Sequence, residues 1–105
     1  MTVRYETLKE GGCLYVHGEL DHHAAADAIR SACALLDTHQ PGNLLLDLSG
    51  LTFMDSSGLA FLMRLKKRMQ YVGGTFRVIQ VPSQAYRVLI SAGMHQLIQI
   101  TQNEN

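Results

Sequence analysis

The 105-residue sequence has no surplus of either charge: nine Lys and Arg stand against nine Asp and Glu, for a formal net charge of zero. Proteins that grip nucleic-acid phosphates usually carry a basic excess, so this balance argues against a DNA or RNA partner. Cysteine is scarce as well. Cys13 and Cys33 are the only two, and their separation matches neither zinc-ligand spacing nor a disulfide framework; buried thiols in a reducing compartment are the simpler reading. Nowhere do the roughly 18 consecutive apolar residues of a membrane span occur, and the opening Met1-Thr2-Val3-Arg4-Tyr5-Glu6 lacks the apolar stretch of a secretion signal. A soluble, cytoplasmic protein with no membrane association is therefore expected. Gly-x-x-x-x-Gly-Lys-Ser/Thr, the dinucleotide fingerprint and Gly-x-Ser-x-Gly are all missing, so no local motif marks a nucleotide site or a nucleophile elbow, and no cofactor is implied. Linkers, internal repeats and low-complexity stretches are absent too. With hydrophobic residues at 47%, the length suits a single domain over residues 1–105 with a real core.

What is present is a regular alternation of short strands and amphipathic helices. Thr2 to Thr7 reads as an edge strand, and Glu10-Gly11-Gly12 turns the chain into a second strand, Cys13 to His17, for an antiparallel pair. Ala25, Ile29, Ala32, Leu35 and Leu36 form the apolar stripe of a first helix, capped by Asp21 or a neighbour and closed by Pro41-Gly42. Leu44 to Leu48 is an almost continuous apolar run, the pattern of a strand covered on both faces. Leu59, Leu62, Met63, Leu65 and Met69 mark a second helix, which Gly73-Gly74 ends in a left-handed turn. Phe76, Val78, Ile79 and Val81 make another strand. Pro82-Ser83 opens a third helix ending near Ala92-Gly93, Leu97 to Ile100 is a last strand, and 101–105 is a polar tail expected to fray. This order predicts an α/β fold whose later strands are joined by right-handed crossovers and run parallel. Sites in such sheets gather beyond the carboxyl ends of the strands, where Gly18-Glu19-Leu20-Asp21 and Asp55-Ser56-Ser57 would meet as one surface.

The run Leu51-Thr52-Phe53-Met54-Asp55-Ser56-Ser57-Gly58-Leu59 carries the chemistry. It passes from strand to helix through two hydroxyls, and a helix start, with its unpaired N–H groups and partial positive charge, tolerates an anion. Gly18-Glu19-Leu20-Asp21-His22-His23-Ala24, Phe53-Met54-Asp55-Ser56-Ser57-Gly58-Leu59 and Gly73-Gly74, in this order and at these spacings, resemble the STAS domain family, the type shared by anti-sigma factor antagonists and sulfate transporters. The resemblance covers nearly the whole chain and is strongest to sporulation-type, anti-sigma F factor antagonist-like members. It implies a STAS fold: a mixed, mainly parallel β-sheet with an N-terminal antiparallel strand and helices packed on it. It also implies a non-enzymatic switch that binds an anti-sigma factor serine kinase, with ATP or ADP held on that partner, and thereby releases a sigma factor. By the same resemblance Ser56, or with a smaller claim Ser57, is phosphorylated to end binding, and a separate serine phosphatase resets it. The partner-binding set implied is Glu19, Asp21, His22, His23, Met54, Asp55, Ser56, Ser57 and Gly58. Family members commonly continue past the last strand into a C-terminal helix; here a polar tail stands instead, which would leave one sheet edge thinly covered.

Each of these residues also has a plainer role. Ser56, Asp55 and Asp21 are favoured helix caps whatever the function, and Asp55 could equally orient a phosphoryl donor. His22 and His23 are neighbours, so on a helix they point roughly 100° apart and do not form a one-faced metal pair. His17, His39 and His95 are scattered and suggest no role. Arg64, Lys66, Lys67 and Arg68 read as a solvated face that complements the helix dipole, or as a contact for an acidic partner. Met54, Met63, Met69 and Met94 suit a core, although Met54 beside the motif could enter an adaptable contact. The competing functions are a structural STAS module of a stress-signalling complex or a transporter's cytosolic piece, and a hydrolase using Ser56 or Ser57 as nucleophile, for which no general base is evident.

Overall fold

The computed structural model describes residues 1–103. Its elements are β1 (Thr2–Leu8), β2 (Gly11–Leu20), α1 (Ala25–His39), β3 (Asn43–Met54), α2 (Ser57–Tyr71), β4 (Thr75–Val81), α3 (Ser83–Ser91), a 3₁₀ turn over Met94–Gln96, and β5 (Gln99–Gln102). The five strands form one sheet in sequence order, β1-β2-β3-β4-β5. β1 and β2 pair antiparallel across the Lys9-Glu10 turn, and the remaining neighbours are parallel. The mixed, mainly parallel α/β sheet expected from the sequence is thus what forms.

Because each crossover moves one strand further in the same direction, a common hand of connection puts all three helices on the same face. The burial pattern agrees. Leu44, Leu46 and Leu48 of β3 are fully buried, whereas Leu45 and Asp47 between them are only half-buried. The strand is therefore covered on one face, not on both, and the half-exposed Asp47 within the run is the residue that betrays the open side. Leu14, Val16, Leu44, Leu46 and Val78 from the sheet meet Ala28, Ala32 and Leu36 of α1, Phe61, Leu62 and Leu65 of α2, and Ala85 and Leu89 of α3 in one continuous core. The small alanines of α1 let that helix lie close against its neighbours. Arg68 and Asp37 add an ion pair from α2 to α1 at 2.6 Å.

The basic run of α2 divides in two. Lys66 donates to the Leu97 carbonyl at 2.8 Å and Arg68 pairs with Asp37, while Arg64 and Lys67 are exposed. Half of it is therefore structural rather than free for a partner. Cys13 is buried and Cys33 half-buried, both as free thiols, and His39, given no role from sequence, stacks on Tyr5 with ring centroids 4.0 Å apart. Gly73 ends α2 at φ +73°, the left-handed turn its composition suggested.

Three boundaries differ from expectation. β2 runs on to Leu20 and β3 to Met54, because pairing resumes past an irregularity at Leu48-Ser49, with Gly50 beside His17 and Leu51 beside Gly18, rather than the chain looping out. The last strand is Gln99–Gln102 instead of Leu97–Ile100. The expected frayed tail is accordingly corrected for its first residues: Thr101 and Gln102 are strand, and the Asn103 amide donates to the Val81 carbonyl at 2.9 Å. Residues 104 and 105 lie outside the described residues.

Candidate functional site

β2 and β3 are parallel and finish level with one another, Glu19 beside Phe53 and Leu20 beside Met54. The two segments that follow, Asp21 to Ala24 and Asp55 to Gly58, are therefore neighbours at the carboxyl edge of the sheet. β4 pairs with β3 only as far as Asp47, so the end of β3 projects beyond β4 and its backbone needs another partner there. Gln84 of α3 supplies it. Its Oε1 accepts from the Met54 amide at 2.9 Å, and its Nε2 donates to the Met54 carbonyl at 2.7 Å. One side-chain amide thus completes the ladder where a strand is missing.

Asp55 fastens the two segments to each other. Oδ1 accepts from the Ser57 amide at 2.8 Å, at the start of α2, and Oδ2 accepts from the His22 amide at 3.1 Å, across in the loop before α1. The Ser57 amide is the main influence holding this carboxyl below its ordinary range; the His22 amide and the Ser57 hydroxyl act in the same direction, while partial burial opposes them. Hydrogen bonds that favour the charged form produce such a shift. The capping role weighed for Asp55 is what its geometry shows. Asp21 acts similarly one turn earlier: its Oδ1 accepts from the His23 and Ala24 amides, each at 3.0 Å. It closes the turn ahead of α1, whose own N-cap position is Ala24.

The expected site residues separate into surface and support. Glu19, His22, His23 and Ser56 are exposed, and Asp21, Asp55 and Ser57 are half-buried. Met54 is fully buried, which corrects the expectation that it touches a partner: it lies beneath the motif. Gly58 is buried against it, and a Cβ there would stand 2.7 Å from Met54 Cγ. Both residues shape the site from below. His22 and His23 have ring centroids 5.7 Å apart in an edge-on arrangement, and among the described residues no three His, Cys, Asp or Glu side chains gather as a metal set.

The two serines differ in kind. Ser57 is half-buried and gives its amide to Asp55, whose charged form its hydroxyl also favours. The Ser56 hydroxyl makes no capping hydrogen bond and faces solvent. Most of the free donors expected at this helix start are engaged: besides Ser57, the Gly58 amide donates to the Asp55 carbonyl at 3.0 Å and the Leu59 amide to the Ser56 carbonyl at 3.1 Å. The first three amides of α2 are engaged already. Sequence reasoning missed three residues around this point. Phe53, 42% exposed, is a large apolar side chain on the surface, and its place inside the motif was a usable signal. Gln84 and Arg87 come from α3, and nothing local in sequence announces either. Arg87 and Gln84 line, with Ser56, an open groove of about 550 Å³ between α2 and α3.

Comparison with known proteins gives a consistent result. A family model described as STAS domain matches residues 2–105. A Paenibacillus polymyxa protein named Anti-sigma F factor antagonist is 31% identical over 106 residues, covering 99% of this chain and 91% of its own length. Among solved structures, an anti-sigma factor antagonist from Mycobacterium paratuberculosis superposes with a TM-score of 0.83 at 23% identity, over 95% of this chain and 84% of the other. The phosphorylated form of the Bacillus cell fate determinant SpoIIAA superposes with a TM-score of 0.68 at 20% identity, over 98% and 94%. No helix among the described residues is long and apolar enough to cross a membrane.

Proposed function

The chain belongs to the STAS domain family, and from that membership and the geometry of its carboxyl edge we propose that it is an anti-sigma factor antagonist controlled by phosphorylation of Ser56. Unmodified, it binds a cytoplasmic anti-sigma factor that is itself a serine kinase and so frees a sigma factor. The observation that carries this reading is the contrast between the two hydroxyls: Ser56 is exposed and unbonded at the junction of two loops pinned together by Asp55. A partner closing over it desolvates one small neutral group at little cost. Glu19, His22, His23 and Phe53 are exposed on the same segments and are the partner contacts in this reading, with Asp21, Asp55 and Ser57 setting their frame. The likeness to a phosphorylated SpoIIAA supports a fold that tolerates the modification.

In the modification the Ser56 Oγ forms a bond to the γ-phosphorus of ATP held on the partner. The bond from that phosphorus to the β,γ-bridging oxygen breaks, ADP leaves, and the hydroxyl proton passes to a base or solvent. A phosphatase reverses the state by delivering water to the phosphorus, which returns the hydroxyl and releases inorganic phosphate. The added group carries roughly −1.5 to −2 charges and three acceptor oxygens. Burying it against a surface shaped for a hydroxyl costs several kcal/mol, and each ~1.4 kcal/mol is tenfold in affinity. Binding is therefore lost without refolding.

The test mixes the chain with the cognate kinase and ATP, maps the modified residue and follows release of the complex. Ser56→Ala retains binding and takes up no phosphoryl group, and Ser56→Asp binds at least tenfold more weakly. Phosphorylation of the Ala variant would move the site to Ser57. Equal affinity of the modified and unmodified chains would end the proposal.

A further inference from the structure

We infer that Arg87 of α3 receives the phosphoryl group of phosphorylated Ser56, holding it across the groove between α2 and α3. This rests on Ser56 being the modified residue. Three observations lead to it. The first three amides of α2, which would ordinarily cradle an anion, are already bonded to Asp55 and Ser56 oxygens. The Asp55 carboxylate, spent on the Ser57 and His22 amides, stands one residue from the modified hydroxyl and adds a like charge. Arg87 is the one cationic side chain among those lining the groove that Ser56 borders; it is exposed and makes no ion pair among the described residues.

A guanidinium offers a planar fork of donors that matches phosphate oxygens two at a time, and it is less strongly hydrated than an ammonium. Gln84, also in the groove, is committed to the Met54 backbone and cannot substitute. Arg87 offsets one of the nearly two added charges and leaves a net negative group at the docking surface. Capture thus fixes where the phosphoryl group sits without restoring the neutral face that a partner accepts. It also steers the group toward α3 and away from the His22-His23 loop.

The experiment installs phosphoserine at position 56 during translation, so that no kinase is needed, and follows its phosphorus resonance through a pH titration. The titratable and charged groups on the elements that meet around Ser56 are Asp55 on the same turn, Glu19 at the end of β2, His22 and His23 before α1, and Arg87 on α3. Only the last differs between samples. The second ionisation of the phosphoserine, ordinarily near pH 6, occurs about 0.2 to 0.7 unit lower in the native chain than in Arg87→Gln, the size of shift expected for a solvent-exposed ion pair. Arg87→Lys restores part of the shift, and high salt reduces it. Thermal unfolding of each variant confirms that the fold is intact, as befits an exposed helix position. Coincident titrations of native and Arg87→Gln chains would overturn the inference and leave the switch itself untouched. Conversely, equal partner affinity of modified and unmodified chains would remove the switch while the phosphorus titration could still reveal the pair.

Discussion

Replacing Gln84 by alanine tests whether the projecting end of β3 depends on a borrowed amide. The substitution removes both hydrogen bonds to the Met54 backbone, and Met54 is fully buried, so solvent cannot take over without opening the structure. A net hydrogen bond contributes about 1 kcal/mol, and leaving a buried group unpaired costs about 1–3 kcal/mol. Alanine recovers a few tenths of a kcal/mol through its better helix propensity. Together these give a loss of about 2 kcal/mol, which for a domain of this size lowers the melting temperature by roughly 8–16 °C. Urea unfolding reads the loss as a lower midpoint at unchanged slope, and amide exchange at Met54 accelerates more than at Leu46 in the middle of the same strand. Gln84→Glu sharpens the test. Its carboxylate can accept from the Met54 amide but repels the carbonyl at neutral pH, so it is also destabilising there and recovers as the side chain is protonated in acid. A loss below about 0.5 kcal/mol, with Met54 exchange unchanged, would refute the account of Gln84 as a surrogate strand.

Two further outcomes follow from groups whose ionisation the fold disturbs. Asp55 titrates below its ordinary 3.8, so its stabilising contribution is complete above that value and disappears as pH falls through the depressed one. Asp55→Asn is therefore less stable than the native chain at neutral pH, and urea midpoints measured stepwise into acid converge; a gap that stays constant to about pH 2 would contradict the capping geometry. Tyr15 is pushed up to about 12 from 10.0, first by the neighbouring Cys13 thiol, then by burial and by the Cys13, Glu6 and Asp47 charges, and its hydroxyl lies 3.5 Å from Glu6 Oε1. The neutral phenol is the favoured form, so its contribution is present below pH 10 and is lost as pH rises toward 12. Ultraviolet titration of phenolate should lose a transition near pH 12 in Tyr15→Phe, and loss of one near pH 10 instead would show that the neighbouring acidic groups do not hold the phenol neutral.

The fold was legible where side-chain periodicity decides it. Ala32-Leu36 and Leu62-Leu65-Met69 were readable from helical spacing and are buried, although the first stripe centres on Ala28, with Ala25, Ile29 and Leu35 only half-buried at its margins. What stayed illegible was decided by backbone partners. Ser49-Gly50 has the composition of a turn, yet it is strand because His17 lies beside Gly50 and the pairing continues through Leu51. Leu44 to Leu48 reads as buried on both faces until the helices are seen to share one side. At the site, Asp55 and Asp21 could be recognised as caps because capping is local chemistry. Gln84 and Arg87 could not, since a polar residue on an exposed helix face has no signature until the tertiary fold puts it against a strand end or a serine. Met54 misled for the opposite reason: its neighbours in sequence are at the surface while it points inward.

The division of labour at the carboxyl edge has an evolutionary consequence. The scaffold there is secured through main-chain atoms by Asp21, Asp55 and Gln84, whereas the side chains of Glu19, His22, His23 and Phe53 make no hydrogen bond or ion pair among the described residues. If the proposed partner surface is right, duplicated copies of such a gene can exchange these outward letters and acquire insulated allegiances within one cell. Drift at the three anchoring positions would be far more tightly policed.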